Sequence, residues 1–267
     1  MKIIVSHDVD HLYRDDHYKD LIYLKLWVRS TLEFFKREYG IREWFLRMCS
    51  PFRKERHRIY DMMEFDKKKG IPSTFFFGME NGLGMSYKRD KAVPLIKYVD
   101  EYGFEVGVHG IEYQHIEKMK QEYESFRRIL QRNDFGMRMH YVRFDETSFE
   151  KLSKCGYQFD STEFDKEVGT QIKKPYKVNG MWEFPLTIMD GYLPKEKNEK
   201  KEKTIELINK AEASGLPYLT LLFHDYQFCS GYASERDWYV WIISWLKDNG
   251  YEFISYRDAI DELEKRG

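Results

Sequence analysis

Two aspartates stand one residue apart in SHDVDH, residues 6–11, directly after the apolar run KIIV. On an extended strand, positions i and i+2 share a face, so Asp8 and Asp10 project together. Paired carboxylates can divide two tasks, one holding a cation and the other moving a proton. Other apolar runs also close on ionisable residues. FEVGVH ends in His109, with His115 six positions on. MHYVRF carries His140 and Arg143 and follows Arg138. YQFDS contains Asp160, LTIMD ends in Asp190, and YLTLLFHD ends in His224 and Asp225. Unpaired buried charge is costly, and metal binding or catalysis is the common reason to keep it. A mixture of Asp and His suits Zn²⁺ or another divalent transition metal. Three protein ligands would leave a place for water, whose pKa the metal lowers. A nearby carboxylate could take the proton, and a histidine opposite could protonate a leaving nitrogen. Such a site hydrolyses an amide or an ester.

These residues need strands to carry them to one place. Strand candidates are 2–6, 73–78, 104–109, 139–144, 157–161, 182–186, 218–224 and 251–256, alternating with amphipathic stretches such as EKMKQEYESFRRILQR. That alternation predicts an α/β fold with a parallel sheet or barrel and outer helices. In a parallel barrel the C-terminal strand ends share the face that holds the active site. KCGYQFDS and DNGYEFIS each place a glycine where a helix ends before a strand. Residues 12–69 break the rhythm with a long helical stretch, and 191–203 form a lysine-rich polar run. With no repeat and no linker, the chain reads as one domain, 1–267, with a helical insertion at 12–69.

Composition narrows the function classes. The 267 residues carry a formal net charge of -1, 42% hydrophobic and 33% charged residues. No global pull toward nucleic acid follows, and no apolar run reaches the ~20 residues needed to cross a bilayer. Aromatic residues make up 17%, which suits sugar stacking but is read mainly as core. Cys49, Cys155 and Cys229 form no C-x-x-C pair and are expected as free thiols. MKIIVSHDVD shows no apolar signal region, so a cytoplasmic location is expected. Residues 12–69 mix basic and aromatic side chains. They fit a lid over the site with its aromatics buried, or a peripheral contact with anionic membrane. Because LIYLKLWV is apolar on more than one side, the buried lid is the expected form.

The motifs in their order resemble the polysaccharide deacetylase family, carbohydrate esterase family 4. HDVD, GIPSTFFF at 70–77, EVGVHGIEYQH at 105–115, RMHY at 138–141 and LTLLFHD at 219–225 carry the resemblance, which spans roughly residues 2–256. It implies a distorted (β/α) barrel of about seven parallel strands, a divalent metal and an N-acetylated carbohydrate substrate. It implies Asp8 as general base, Asp10 and His109 as metal ligands and Arg138 as the residue orienting the base. It also implies an oxyanion-binding backbone N–H at Tyr141 and His224 as general acid. The chain departs from the family at position 113, where a second metal histidine is expected and Tyr stands. His115 is the expected replacement; His140 and loss of the metal are the alternatives. The aspartate supporting His224 is Asp190 or Asp225, with Asp190 preferred. Asp160 is read as a further supporting group or a helix cap. Three rivals differ in class. A phosphatase of the haloacid dehalogenase type shares the D-x-D but has Thr or Val where Leu12 stands. A non-catalytic sugar-binding relative would lack the metal. A hydrolase of a small non-sugar amide would share the site.

Overall fold

Side chains alternate along β1 (Lys2–Val9) and sort it into two faces. Ile3, Val5 and Val9 join a large core between sheet and helices, whereas Ile4 joins a smaller core inside the curl of the sheet. Ser6 and Asp8 share the inner face with Ile4. The computed structural model describes residues 1–169 and 171–266, the side chain of Arg266 excepted.

Elements follow in the expected β-then-α order. After β1 come α1 (Ile22–Phe35), α2 (Ile41–Cys49), α3 (Ile59–Lys69), β2 (Thr74–Gly78), α4 (Arg89–Glu101), β3 (Glu105–Gly110) and α5 (Ile116–Leu130). Then come β4 (Met137–Met139), α6 (Ser148–Ser153), β5 (Phe159–Asp160), β6 (Tyr176–Val178), β7 (Met181–Glu183) and β8 (Ile188–Met189). The chain closes with α7 (Lys197–Ala213), β9 (Tyr218–Leu222), α8 (Ala233–Asp248), β10 (Glu252–Phe253) and α9 (Tyr256–Arg266). The sheet order is β6-β7-β5-β4-β3-β2-β1-β9-β8, with β10 paired to the start of β1. Neighbours are parallel except β6 and β7. This is a curled, mostly parallel sheet, a half-barrel of the distorted (β/α) type. Gly156 and Gly250 take φ of 106° and 79° as α6 and α8 end, a conformation that costs other residues more.

Two local expectations shift. The fourth strand ends at Met139 rather than running to 144, because Tyr141 and Val142 take left-handed φ values of 59° and 45° and turn the chain. The 12–69 stretch divides in two. Its last part, α3, buries Ile59, Met62, Met63 and Asp66 against the barrel. Its earlier helices sit outside the core, and α1 buries only Ser30. The apolar run LIYLKLWV is therefore largely exposed, against the expectation of a buried lid. The cysteines are free thiols, and no described helix is long and apolar enough to cross a membrane.

Candidate active site

β1, β3, β4 and β9 bring their C-terminal ends to one cavity of about 750 Å³, lined among others by Asp8, Asp10, His109, His140, Asp190 and His224. At its floor lies Arg138, fully buried. Its Nη1 donates to Asp8 Oδ1 at 3.0 Å and to Ser6 Oγ at 2.8 Å. Its Nε donates to the Ser161 carbonyl at 2.9 Å, and its Nη2 to Ser161 Oγ and the Tyr256 hydroxyl, both at 3.0 Å. Phe76 supports the guanidinium from 4.6 Å. Asp8 is thereby fixed as a buried carboxylate beside a fixed positive charge.

One layer above, three acceptors converge. His109 Nδ1 lies 3.0 Å from the Arg138 carbonyl. That carbonyl can only accept, so Nδ1 carries the proton and Nε2 presents a lone pair. His109 Nε2 stands 3.0 Å from His140 Nδ1 and 3.3 Å from Asp10 Oδ1, and His140 Nδ1 stands 3.3 Å from the same oxygen. His140 Nε2 approaches the Leu83 carbonyl at 3.4 Å. Asp10 Oδ1 is buried and makes no hydrogen bond. Three electron-rich atoms cannot face one another at this range without positive charge among them. Donors about 2 Å from a shared tetrahedral centre lie roughly 3.3 Å apart, so the set fits a divalent cation. Burial alone would raise the pKa of Asp10; positive charge beside it, here from protons on the two imidazoles in place of a metal, holds it well below the usual carboxylate range.

On the far side, His224 Nδ1 lies 2.8 Å from Asp190 Oδ1, and the His224 backbone N–H donates to Asp190 Oδ2 at 2.8 Å. Asp190 fixes the tautomer, leaving Nε2 toward the cavity, 3.9 Å from Asp10 Oδ2. Burial lowers the pKa of His224, yet Asp190, with Asp10 and Asp8 behind it, pushes it up to about 10.

The remaining sequence candidates lie elsewhere. His115 does not reach the cluster: it caps α5, its side chain is 67% exposed, and Glu112 holds it at 3.1 Å. His140 takes the place expected of it. Asp225 is buried, accepts from the Arg58 backbone N–H at 2.7 Å and so tethers α3 rather than His224. Asp160 pairs in register with outward-facing Met137 and with Glu183, not with the inner face that Ser161 occupies. Burial and the negative charge of Asp160 hold Glu183 well above its usual pKa, so that pair keeps a proton. The Tyr141 side chain is exposed, and its hydroxyl donates to the Leu83 carbonyl at 3.2 Å.

No protein-family model and no curated protein matches the sequence. Solved structures do. A protein from Mycobacterium smegmatis described as a polysaccharide deacetylase superposes with a TM-score of 0.63 at 14% identity, covering 98% of this chain and 88% of that one. The chain has the polysaccharide deacetylase fold. A GH57-type branching enzyme from Pyrococcus horikoshii shares the architecture at a TM-score of 0.55 and 9% identity, over 98% of this chain and 70% of that one. A fold shared this widely leaves the chemistry to the site.

Within this deacetylase fold, sequence reasoning paired Arg138 with Asp8 but missed its other partners. Ser6 shares the inner face of β1 with Asp8, a period-2 signal that was available. Ser161 and Tyr256 come from distant segments and carried none. His11 also lines the cavity. Its Nδ1 lies 3.0 Å from His17 Nε2, and His17 Nδ1 lies 2.7 Å from Asp20 Oδ2, so a short polar chain borders the cavity beside Asp10.

Proposed function

We propose that this chain is a metal-dependent hydrolase that removes the acetyl group from an N-acetylated sugar. The observation that carries the reading is the convergence of Asp10 Oδ1, His109 Nε2 and His140 Nδ1 within 3.3 Å of one another, between the Asp8–Arg138 and Asp190–His224 pairs. Asp10, His109 and His140 would hold the metal. When bound, a Zn²⁺ or similar ion would acidify a water and polarise the acetyl carbonyl. Asp8, positioned by the Arg138 guanidinium, would accept the water's proton as general base. His224, oriented by Asp190, protonates the departing sugar nitrogen. The left-handed turn at Tyr141 brings backbone to the cavity wall, where a main-chain N–H would meet the oxyanion. The reading takes the substrate to be a glycan precursor inside the cell, and takes 1–267 as one catalytic domain with 12–58 added to its rim.

Acetate release from a panel of N-acetylated sugars, nucleotide-linked and polymeric, tests the reading, with and without added Zn²⁺. Release that needs the metal and fails in Asp8→Asn is the expected result. A protein that binds Zn²⁺ stoichiometrically yet frees no acetate from any sugar would move the chain to a non-sugar amide or to a binding role.

A further inference from the structure

Helix α1 turns its apolar side away from the protein. Leu21, Leu24, Val28, Leu32 and Phe35 recur every three or four residues and so share one face. They are 64%, 55%, 52%, 57% and 75% exposed. The opposite face meets the protein, where Leu26, Ser30 and Glu33 line the cavity. Amphipathic helices ordinarily bury the apolar stripe and wet the polar one. Here the order is reversed. Downstream, Ile41 and Phe45 of α2 lie one turn apart and are also exposed, as is Phe52. A contiguous apolar surface of this kind marks a contact with something else.

Charge selects the occupant. On a helical projection, Lys25, Arg29 and Lys36 run along one edge of the stripe, and all three are exposed, Lys25 and Arg29 where that edge meets the cavity mouth, with Arg29 bonded to Glu33. Arg37, Arg42, Arg53 and Lys54 are exposed in the segments that follow. Residues 12–58 hold twelve Lys and Arg against seven Asp and Glu, a net of +5, in a chain whose total is -1. A second copy seated on this face about a two-fold axis would bring the same basic edges together, which like charges oppose. A bilayer with anionic headgroups supplies both an apolar layer for the stripe and negative potential for its basic edge. We propose that the outer face of α1, with the start of α2, rests on an anionic lipid surface. The cleft opens on the inner face of the same helix. The proposal stands on exposure and charge and does not depend on the hydrolytic reading.

Co-sedimentation with vesicles tests it directly. The full chain is spun with phosphatidylcholine alone and with a phosphatidylcholine–phosphatidylglycerol mixture, at low and high salt. It should bind the mixed vesicles at low salt, release from them at high salt and largely ignore phosphatidylcholine alone. Each basic residue near the surface contributes about fivefold in partitioning, so Lys36→Glu with Arg42→Glu should weaken binding at least tenfold. Val28→Ser with Leu32→Ser should do the same by removing apolar depth, while an unchanged melting temperature shows that the fold is intact. Absence of binding at low salt, binding indifferent to salt, or binding untouched by both double variants overturns the proposal. So does a dimer, seen by sedimentation equilibrium, that Leu32→Ser dissolves in a protein without affinity for vesicles.

Discussion

The cleft has two walls, and one buried arginine anchors each. On the barrel side Arg138 is fully buried, and every guanidinium N–H reaches a partner drawn from β1, the end of β5 or the start of α9. On the helical side Arg47 stands in for a core. It donates to the Gly231 carbonyl at 2.6 Å, to Glu33 at 3.0 Å and to Glu43 at 2.7 Å, between the rings of Tyr39 and Tyr232. The first arginine is set inside a packed apolar layer and fixes a carboxylate. The second fastens two helices that bury almost nothing else, since Ser30 and Arg47 are the buried residues of α1 and α2. The barrel wall is built to hold atoms in place; the helical wall, Ser30 and Arg47 apart, leaves its side chains half-buried or exposed.

The largest expected difference between the walls is chemical. Asp8→Asn should lower turnover by roughly 10²–10⁴-fold, the range for a lost general base, with metal content unchanged. His140→Ala should lose the metal, read by inductively coupled plasma analysis, whereas His115→Ala should keep it. Arg47→Met on the opposite wall should leave metal content as it is. A His115→Ala protein without metal would mean that the loop after β3 refolds around the ion, and the contrast between a preformed and a movable wall would fail.

Next comes stability. Arg138→Met strands the buried Asp8 carboxylate without its partner and should cost ~3–5 kcal/mol in denaturant unfolding. Arg47→Met should cost less, ~1–2 kcal/mol, because Glu33 and Glu43 lie on a peripheral helix pair that can turn them toward water. Equal losses would show that α1 and α2 belong to the same cooperative unit as the barrel.

The sequence carried the barrel wall better than the helical one. Period-2 alternation and strand-end charges placed Asp8, Asp10, His109, Arg138 and His224 together, and the structure agrees on that convergence. The second histidine was not legible, because the loop from Ile111 to Gln114 has no period to fix where His115 points. In the structure the Glu112 carboxylate takes that imidazole. Yet His140 stood two residues after Arg138, as Asp10 stands two after Asp8, so one inner face on each strand could have paired both layers. Asp160 missed by a single residue, which on a strand is the opposite face. On the helical wall, apolar content argued for burial. Burial needs a partner surface, and no local pattern reports whether one exists.

Glu122 tests the barrel wall through pH. Its carboxylate is 1% exposed and accepts the backbone N–H groups of Ile111 and Glu112 at 3.1 Å, just past His109. Burial pushes its pKa up to about 7 from the ordinary 4.5, despite those two donors. The folded protein therefore binds more protons than the unfolded chain between those values, and stability falls as pH rises from 4.5 through 7. Glu122→Gln keeps an acceptor and removes the charge. It should stabilise the protein at pH 8 by ~1–3 kcal/mol, a gain that fades as pH falls toward the unfolded value. A gain independent of pH would assign the effect to packing instead.

The smallest effect belongs to the outer surface of α1. Leu32 is 57% exposed and sits in the stripe that faces away from the cavity. Folding removes little of its surface from water, so Leu32→Ser has little transfer energy to lose. Its helix propensity cost is a few tenths of a kcal/mol, and surface substitutions of this kind usually fall within ~0.5 kcal/mol. Unfolding in urea should show a midpoint close to wild type with the same slope. The contrast with Arg138→Met is what gives this small number its use. A loss above ~2 kcal/mol would mean that the stripe is covered in solution, either by the barrel or by another copy of the chain. In that case α1 would be a buried wall like the other, and the difference between the two sides of the cleft would disappear.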